Sequence, residues 1–378
     1  MAIDIHWICD NDSLGQHCAE WQQLPFVALD TEFMRVDTFY PIAGLIQIGD
    51  GVRAYLIDPL TIDNWQPLAA LLENPAVIKV VHACSEDLEV LLRLTGSLPV
   101  PLFDTQLAAA YLNLGFSMGY SRLVQAVLDI DLPKGETRSD WLQRPLSETQ
   151  VSYAAEDAVH LAEVFIRLRP RLSDDKYAWV LDDGAELVAN LRREVDPYEV
   201  YRDAKLAWKL SRAQLAVLRE LCAWREQQAR ARDLPRNRII REHSLWPLAK
   251  SQPDNLAALG KIEDMHPRTV RQDGQFLLDL IKRVGSVSMD QWPPAVAEPL
   301  PVDAAALIKQ LRALGQAEAE RLDMAPELML RKKTLEALVK SGYPDGPYKL
   351  PTSLRGWRRE LMGQALRSEE HTSELQSP

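Results

Sequence analysis

Over about the first 170 residues, short apolar runs alternate with longer segments of helical spacing. Residues 26–33, FVALDTEF, form a short apolar run that turns acidic. Residues 44–48 and 52–57 are apolar runs flanking Asp50 and Gly51. Asp-Gly between two such runs is a strong hairpin signal. Residues 77–81, VIKVV, read as another strand, and residues 60–73, 85–96, 104–112 and 147–168 as helices. A three-strand meander followed by alternating strands and helices predicts a mixed sheet flanked by helices.

After about residue 200 no strand pattern recurs. Residues 210–230 predict a strong helix, with apolar or aromatic residues at 210, 215, 218, 221 and 224. Short proline-marked helices follow, up to PPAVAEPLP at 293–301, which reads as a linker. From about 302 the theme repeats: a long helix, the basic run Arg331, Lys332 and Lys333, then short elements around 344–351. The expected organisation is an α/β domain over 1–200 and two small all-α domains over 205–290 and 300–366. The last twelve residues, RSEEHTSELQSP, break the pattern after Leu366 and look like a translated sequencing adapter. Residues 367–378 are therefore set aside as a non-native tail, which leaves the last helical domain expected to be truncated.

At 378 residues, 47% hydrophobic and 26% charged, the chain has globular composition. No apolar run approaches the ~18–20 residues of a membrane span. The start, MAIDIHWICDNDS, has no basic stretch leading into an apolar core, and the four cysteines show no metal spacing. A reduced cytoplasmic protein with no membrane association is expected. The net charge of −11 argues against a non-specific polyanion binder, but it is uneven. Residues 1–200 hold 14 Lys+Arg against 31 Asp+Glu, a net of −17, whereas residues 201–250 hold 12 against 5, a net of +7. An acidic front beside a basic middle suits a metal-dependent catalytic unit next to a nucleic-acid grip. An Arg-rich solvated helical surface would give the same count.

Three local patterns could carry chemistry. Asp30 and Glu32 share one face of a strand, because side chains alternate there. Two adjacent carboxylates repel unless a cation lies between them, and hard ions such as Mg²⁺ take oxygen ligands. A strand running out into solvent would read the same way. Asp87 follows the strand at 77–81, with Ser85 a plausible N-cap, so its carboxylate falls in a first helical turn at the C-terminal end of a strand. The helix dipole alone would justify it. Tyr153 and Asp157, four apart, share a helix face and could be a simple hydrogen-bonded pair.

Together these patterns resemble the three exonuclease motifs of the DEDD superfamily, in its tyrosine-bearing branch. The segments VVHACSEDLEVL, PLFDTQLAAAYL and LPKGETRSDWLQRPLSETQVSYAAEDAVHL look like the bacterial ribonuclease D family. WKLSRAQLAVLRELCAWREQQARARDLPRNRII is similar to the opening of a helicase-and-RNase-D C-terminal (HRDC) domain, and the segment from about 302 resembles a second, more divergent copy. The resemblance implies a ribonuclease H-like exonuclease domain followed by two HRDC-type domains. It implies 3′→5′ hydrolysis of RNA with two divalent ions, Mg²⁺ or Mn²⁺, acting on tRNA precursors and other small structured RNAs; a monomer is expected, with the oligomeric state left open. By the same resemblance, Asp30, Glu32 and Asp157 hold one ion, Asp30 bridges to a second held by Asp87, and Tyr153 orients the attacking water.

Phe33 is placed to pack on the terminal base. Lys134, Arg138 and Trp141 are candidates for phosphate and base contacts, or members of a packed loop. His82 either supports the carboxylates or is a core histidine. The HRDC-like stretch makes Arg225, Arg230, Arg232, Arg236, Arg238 and Arg241 candidate backbone contacts, Arg225, Arg232 and Arg236 foremost; domain packing is the other use for them. Two rivals remain at this stage, a proofreading-type DNA exonuclease and a catalytically dead RNA-binding scaffold.

Overall fold

The computed structural model describes residues 3–132, 139–193, 195–363 and 366. It divides into two compact units: one from residues up to 34, 43–192 and 300 onward, the other from 35–42 and 193–299.

The first unit is built on β1 (Asp4–Ile8), α1 (Asn11–Trp21), β2 (Phe26–Met34), β3 (Ile42–Gly49), β4 (Arg53–Ile57), α2 (Gln66–Glu73), β5 (Ile78–Val81), α3 (Ser85–Thr95), β6 (Leu102–Asp104), α4 (Thr105–Tyr111), α5 (Tyr120–Leu128), α6 (Glu148–Leu168) and α7 (Asp174–Arg192). The strands form one mixed sheet in the order β1-β4-β3-β2-β5-β6. β1–β4, β2–β5 and β5–β6 are parallel and β3–β4 antiparallel. The expected hairpin forms. The Asp50 carboxylate accepts from the backbone N–H of Val52 and Arg53 at 2.8 and 2.7 Å, and Gly51 takes φ +91°, a conformation open to glycine.

Alternation along β2 decides where chemistry can sit. Val27 and Leu29 enter a core shared with Leu14, Leu68 and Leu88, from α1, α2 and α3. Ala28 enters the opposite core, with Leu161 and Phe165 of α6. Continuing with period two, Asp30 and Glu32 fall on the α6 side and Thr31 on the α3 side. α6 begins in a full capping box between Ser147 and Gln150. Its Ala158 approaches β3 so closely that a side chain at Gly49 would fall 2.3 Å from the Ala158 carbonyl oxygen.

Several boundaries differ from expectation. β1, α1, β6, α5 and α7 have no counterpart in the sequence reading. α2 starts at Gln66 rather than 60, because Asp58 turns the chain by accepting from the N–H of Leu60 at 3.0 Å. Cys84 holds the N-cap position of α3 without a side-chain cap, and Ser85 is already helical. Asp87 still lies in the first turn.

α13 (Ala304–Arg321) and α14 (Lys332–Lys340) belong to this unit as well. Their Leu311, Leu335 and Val339 are continuous with the core around Tyr111 and Leu161. Ala325 donates its N–H to the Ala110 carbonyl at 2.9 Å. Arg358 forks onto the buried Asp183 carboxylate at 2.5 and 2.7 Å, and the Tyr111 hydroxyl donates to the same carboxylate at 2.8 Å.

The second unit is all-α: α8 (Arg212–Ala231), α9 (Arg236–Ile239), α10 (Glu242–Ser251), α11 (Leu256–Leu259) and α12 (Pro267–Gly285). Its core of Leu218, Leu221, Leu248, Leu277 and neighbours also takes in Phe39, from the loop that follows β2. Asp233 accepts from the backbone N–H of Phe39 and Tyr40 at 2.9 and 3.0 Å. The guanidiniums of Arg236 and Arg230 lie 4.8 and 5.7 Å from the Phe39 ring centre. No helix among the described residues is long and apolar enough to cross a membrane. All four cysteines are free thiols, and only Cys9 is exposed.

Candidate active site

The three local patterns converge. Asp30 and Glu32 from β2 and Asp157 from α6 bring one carboxylate oxygen each within 4.8 Å of one another. An octahedral Mg²⁺ with bonds of 2.0–2.1 Å spans ~4.2 Å between opposite ligands, so this all-oxygen set has the right size and softness for a hard divalent cation. Asp87 approaches from α3, the other face of the sheet. Its Oδ1 accepts a 2.5 Å hydrogen bond from the buried Thr31 hydroxyl, so the residue between the two β2 ligands holds the fourth carboxylate.

The electrostatics report the same crowding. Burial, and then the charges of Asp87, Asp157 and Glu32, drives Asp30 well above the ordinary carboxylate range. Burial and then the Asp157 and Asp87 charges push Glu32 up to about 8. Burial lifts Asp157 to about 7 against a hydrogen bond from Tyr153, and lifts Asp87 to about 6 against the one from Thr31. Without a cation, carboxyls packed this way hold protons; a divalent ion relieves the repulsion that puts them there. Donor set and charge therefore both fit divalent metal.

Tyr153, one turn before Asp157, hydrogen-bonds to it, and burial followed by the Asp157 and Glu32 charges raises its phenol pKa. The ring lies 6.2 Å from that of Trp141. Trp141 is 1% exposed and packs with Leu45, Leu56 and Ala154. The expectation that Trp141 stacks on a base is corrected: the indole is inside the core, against the Tyr153 side chain. It fits there because β3 has glycine at 44, where a side chain would lie 2.6 Å from the Trp141 Cβ. Arg144 locks this loop, forking onto Asp58 at 2.6 and 2.7 Å and donating to the Gly44 carbonyl at 2.7 Å.

Phe33 is half-buried on β2 directly after Glu32. Lys134 and Arg138 lie outside the described residues. The His82 Nδ1 meets the Thr105 hydroxyl at 2.9 Å, and burial lowers its pKa to about 4; it is a core histidine. Its ring packs on Tyr120, whose hydroxyl donates to the Asp157 carbonyl at 2.7 Å and so fixes α6 at the site. Thr31 and Tyr120 were missed in the sequence. The first was visible in the D-T-E motif; the second leaves no local signal.

The basic middle is largely spent on itself. Arg225 is 8% exposed and donates to the Arg236 carbonyl and Asn237 Oδ1. Arg232 forks onto Asp273 at 2.6 and 3.0 Å. Arg236 forks onto Glu226, 1% exposed, at 2.5 and 2.9 Å, and Arg230 shares that carboxylate at 2.9 Å. The expectation that Arg225, Arg232 and Arg236 grip RNA is corrected, because Arg225 is itself buried and withdrawing Arg232 or Arg236 would strand the buried Asp273 or Glu226.

Comparison with known proteins gives the family. Residues 5–173 match the 3′-5′ exonuclease family and residues 214–281 the HRDC domain family. Ribonuclease D of Pseudomonas paraeruginosa is 67% identical over 365 residues, 97% of either chain. The crystal structure of Escherichia coli RNase D, described as an exoribonuclease involved in structured RNA processing, superposes with a TM-score of 0.88 at 35% identity, covering 97% of this chain and 98% of that one. The catalytic core of RRP6 from Trypanosoma brucei shares the fold at a TM-score of 0.57 and 24% identity, over 75% of this chain and 80% of that one. With its acidic cluster at the end of β2 and near-complete coverage by these relatives, the chain belongs to the ribonuclease D family of 3′→5′ exoribonucleases.

Proposed function

We propose that the chain removes nucleotides one at a time from RNA 3′ ends, releasing nucleoside 5′-monophosphates, and that tRNA precursors and other small structured RNAs are its substrates. The observation that carries this reading is the meeting of three carboxylates within 4.8 Å, with a fourth tethered through Thr31. Asp30, Glu32 and Asp157 would hold one divalent ion, Mg²⁺ or Mn²⁺, and Asp30 with Asp87 a second. Bound there, such a pair supplies charge stabilisation at the attacking and leaving oxygens of an in-line displacement and lowers the pKa of water.

The chain's own groups do the positioning. Tyr153 stays protonated, since burial and two carboxylates raise its pKa, so it orients a water by hydrogen bonding rather than accepting its proton. Thr31 aims Asp87, and Tyr120 fixes the backbone of Asp157. Phe33 offers an apolar face beside Glu32. We read residues 300–366 as a divergent second HRDC-type segment and the chain as a cytoplasmic monomer.

The test is a time course on RNA labelled at either end, with matched DNA, with and without Mg²⁺. The 3′ label should leave at once as mononucleotide while the 5′-labelled strand shortens stepwise, and DNA should react far more slowly. Chelator, or Asp30→Asn, should stop turnover and leave RNA binding nearly intact. Turnover in chelator would refute the metal assignment, and equal rates on DNA the RNA preference.

A further inference from the structure

We propose that Gln47, in β3, is a positioning residue for the acidic cluster: its side-chain amide donates to the Asp30 carboxylate and holds it in the orientation that binds divalent metal. This rests on the reading of the cluster as a metal site. Gln47 is 0% exposed, and neither the Oε1 nor the Nε2 of its amide has a hydrogen-bond partner. Buried polar groups are nearly always paired, and an amide left unpaired at both ends costs free energy. Leucine or methionine would fill the same space without that cost.

Three packing relations place the amide beside the cluster. The Phe26 ring, at the start of β2, lies 4.6 Å from that of Phe165 near the end of α6, whereas Asp30 and Glu32, further along β2, meet Asp157, earlier in α6. β2 therefore runs against α6. β3 runs with it, because Leu45 packs with Ala154 and Gly49 lies against Ala158. β2 and β3 are neighbours in the sheet, so the two are antiparallel. A side chain at Gly49 would lie 3.4 Å from the Ala28 Cβ. Two residues back along β3 and two forward along β2, Gln47 comes opposite Asp30. Alternation puts both on the α6 side, Gln47 with Leu45 and Gly49, Asp30 with Ala28. Residues directly opposite have Cβ atoms ~4.5–5.5 Å apart, within reach of a glutamine side chain.

The other neighbours of Gln47 are apolar. Leu56 of β4 is its partner across the strand pair. Leu45 and Gly49 flank it along β3, and Ala154, Ala155 and Ala158 of α6 pack on this part of the sheet. Towards β2 stand Asp30, then Glu32 and Asp157. Facing carboxylates, only the NH₂ end of an amide is attractive. A carboxylate that binds metal keeps lone pairs directed away from the ion, and a hydrogen bond to one of them fixes its rotation. Thr31 holds Asp87 in this manner from the other face of the sheet. Gln47 gives Asp30, the carboxylate assigned to both ions, the equivalent support.

Gln47→Met keeps the length of the side chain and removes the amide. In calorimetric Mn²⁺ titrations at one pH, its affinity should fall about 10–100-fold, the range for a lost partner of a metal ligand. Without metal, the same variant should melt ~2–4 °C above the unmodified chain, because the unpaired buried amide is gone. A residue that only fills space would not move the two quantities in opposite directions. In the unmodified chain labelled with [¹⁵N]glutamine, Mg²⁺ should shift the side-chain amide signal that is missing from Gln47→Met, moving one of its protons downfield. Should that variant not fold, the glutamine side-chain signal that trace Mn²⁺ broadens most identifies the same group.

Equal Mn²⁺ affinity in Gln47→Met, a metal-free melting temperature below that of the unmodified chain, or a Gln47 amide signal indifferent to Mg²⁺ overturns the proposal. Failure of the unmodified chain to bind Mn²⁺ would instead refute the metal site itself, and the titration of that chain, run first, separates the two.

Discussion

Thr31→Val removes one hydroxyl and keeps the shape of a buried side chain. The hydroxyl donates to Asp87 at 2.5 Å and lowers the Asp87 pKa against burial, which otherwise pushes it up, the net being about 6. A hydrogen bond to an ionised group contributes about 1.5–3 kcal/mol, and 1.36 kcal/mol corresponds to one pH unit. Taking the low end, the variant's Asp87 should titrate near ~7. A cation must displace that proton, so apparent Mn²⁺ affinity should fall about fivefold at pH 6 and hardly at all at pH 8. Calorimetric Mn²⁺ titrations across that range, with Thr31→Ser as the control that keeps the hydroxyl, measure this directly. A deficit of the same size at every pH would mean that Thr31 acts through packing alone, and no deficit would mean that Asp87 is not a ligand.

Tyr153→Phe should lower the trimming rate by about 10²–10⁴, the usual range for a lost proton-handling group, with metal affinity nearly unchanged in the same titration. In metal-free protein, the raised carboxyls of Glu32 and Asp157, about 8 and about 7, keep protons the unfolded chain has already released above pH ~4. Stability should therefore fall as pH rises towards 8, and the gain in melting temperature on adding Mg²⁺ should be larger at pH 8.5 than at pH 5.5. Arg358→Met should cost about 3–5 kcal/mol, because the Asp183 carboxylate is left charged and buried; denaturant unfolding would show it, and a loss under 1 kcal/mol would contradict the pairing.

What the sequence disclosed depended on the range of the interaction. Asp30 with Glu32 and Tyr153 with Asp157 were legible because strand and helix periods put each pair on one face. The Asp50–Gly51 hairpin was legible because its hydrogen bonds close within three residues. Asp183 was opaque: nothing around it in α7 marks it out, and the groups that answer it, Tyr111 and Arg358, lie 72 and 175 positions away. The commitment of Arg225, Arg232 and Arg236 was opaque for the same reason. The charge of the basic middle is plain in the sequence, but Arg232 is answered by Asp273, 41 residues later, and no local pattern tells a committed arginine from a free one. β1 escaped notice because DIHWI leaves only its last residue buried, so its alternation is weak.

The anchoring of Phe39 has a consequence for synthesis. Its backbone partner, Asp233, lies 194 residues further along the chain. At ~5–20 residues per second on the ribosome, the loop after β2 waits ~10–40 s for the arginine cage and carboxylate that hold it. Until then an aromatic side chain stands without its pocket, directly downstream of the strand that carries two metal ligands. A nascent or prematurely terminated chain of about 200 residues therefore has every carboxylate of the cluster and an aromatic loop with no pocket to enter, a species that chaperones would meet before any substrate does.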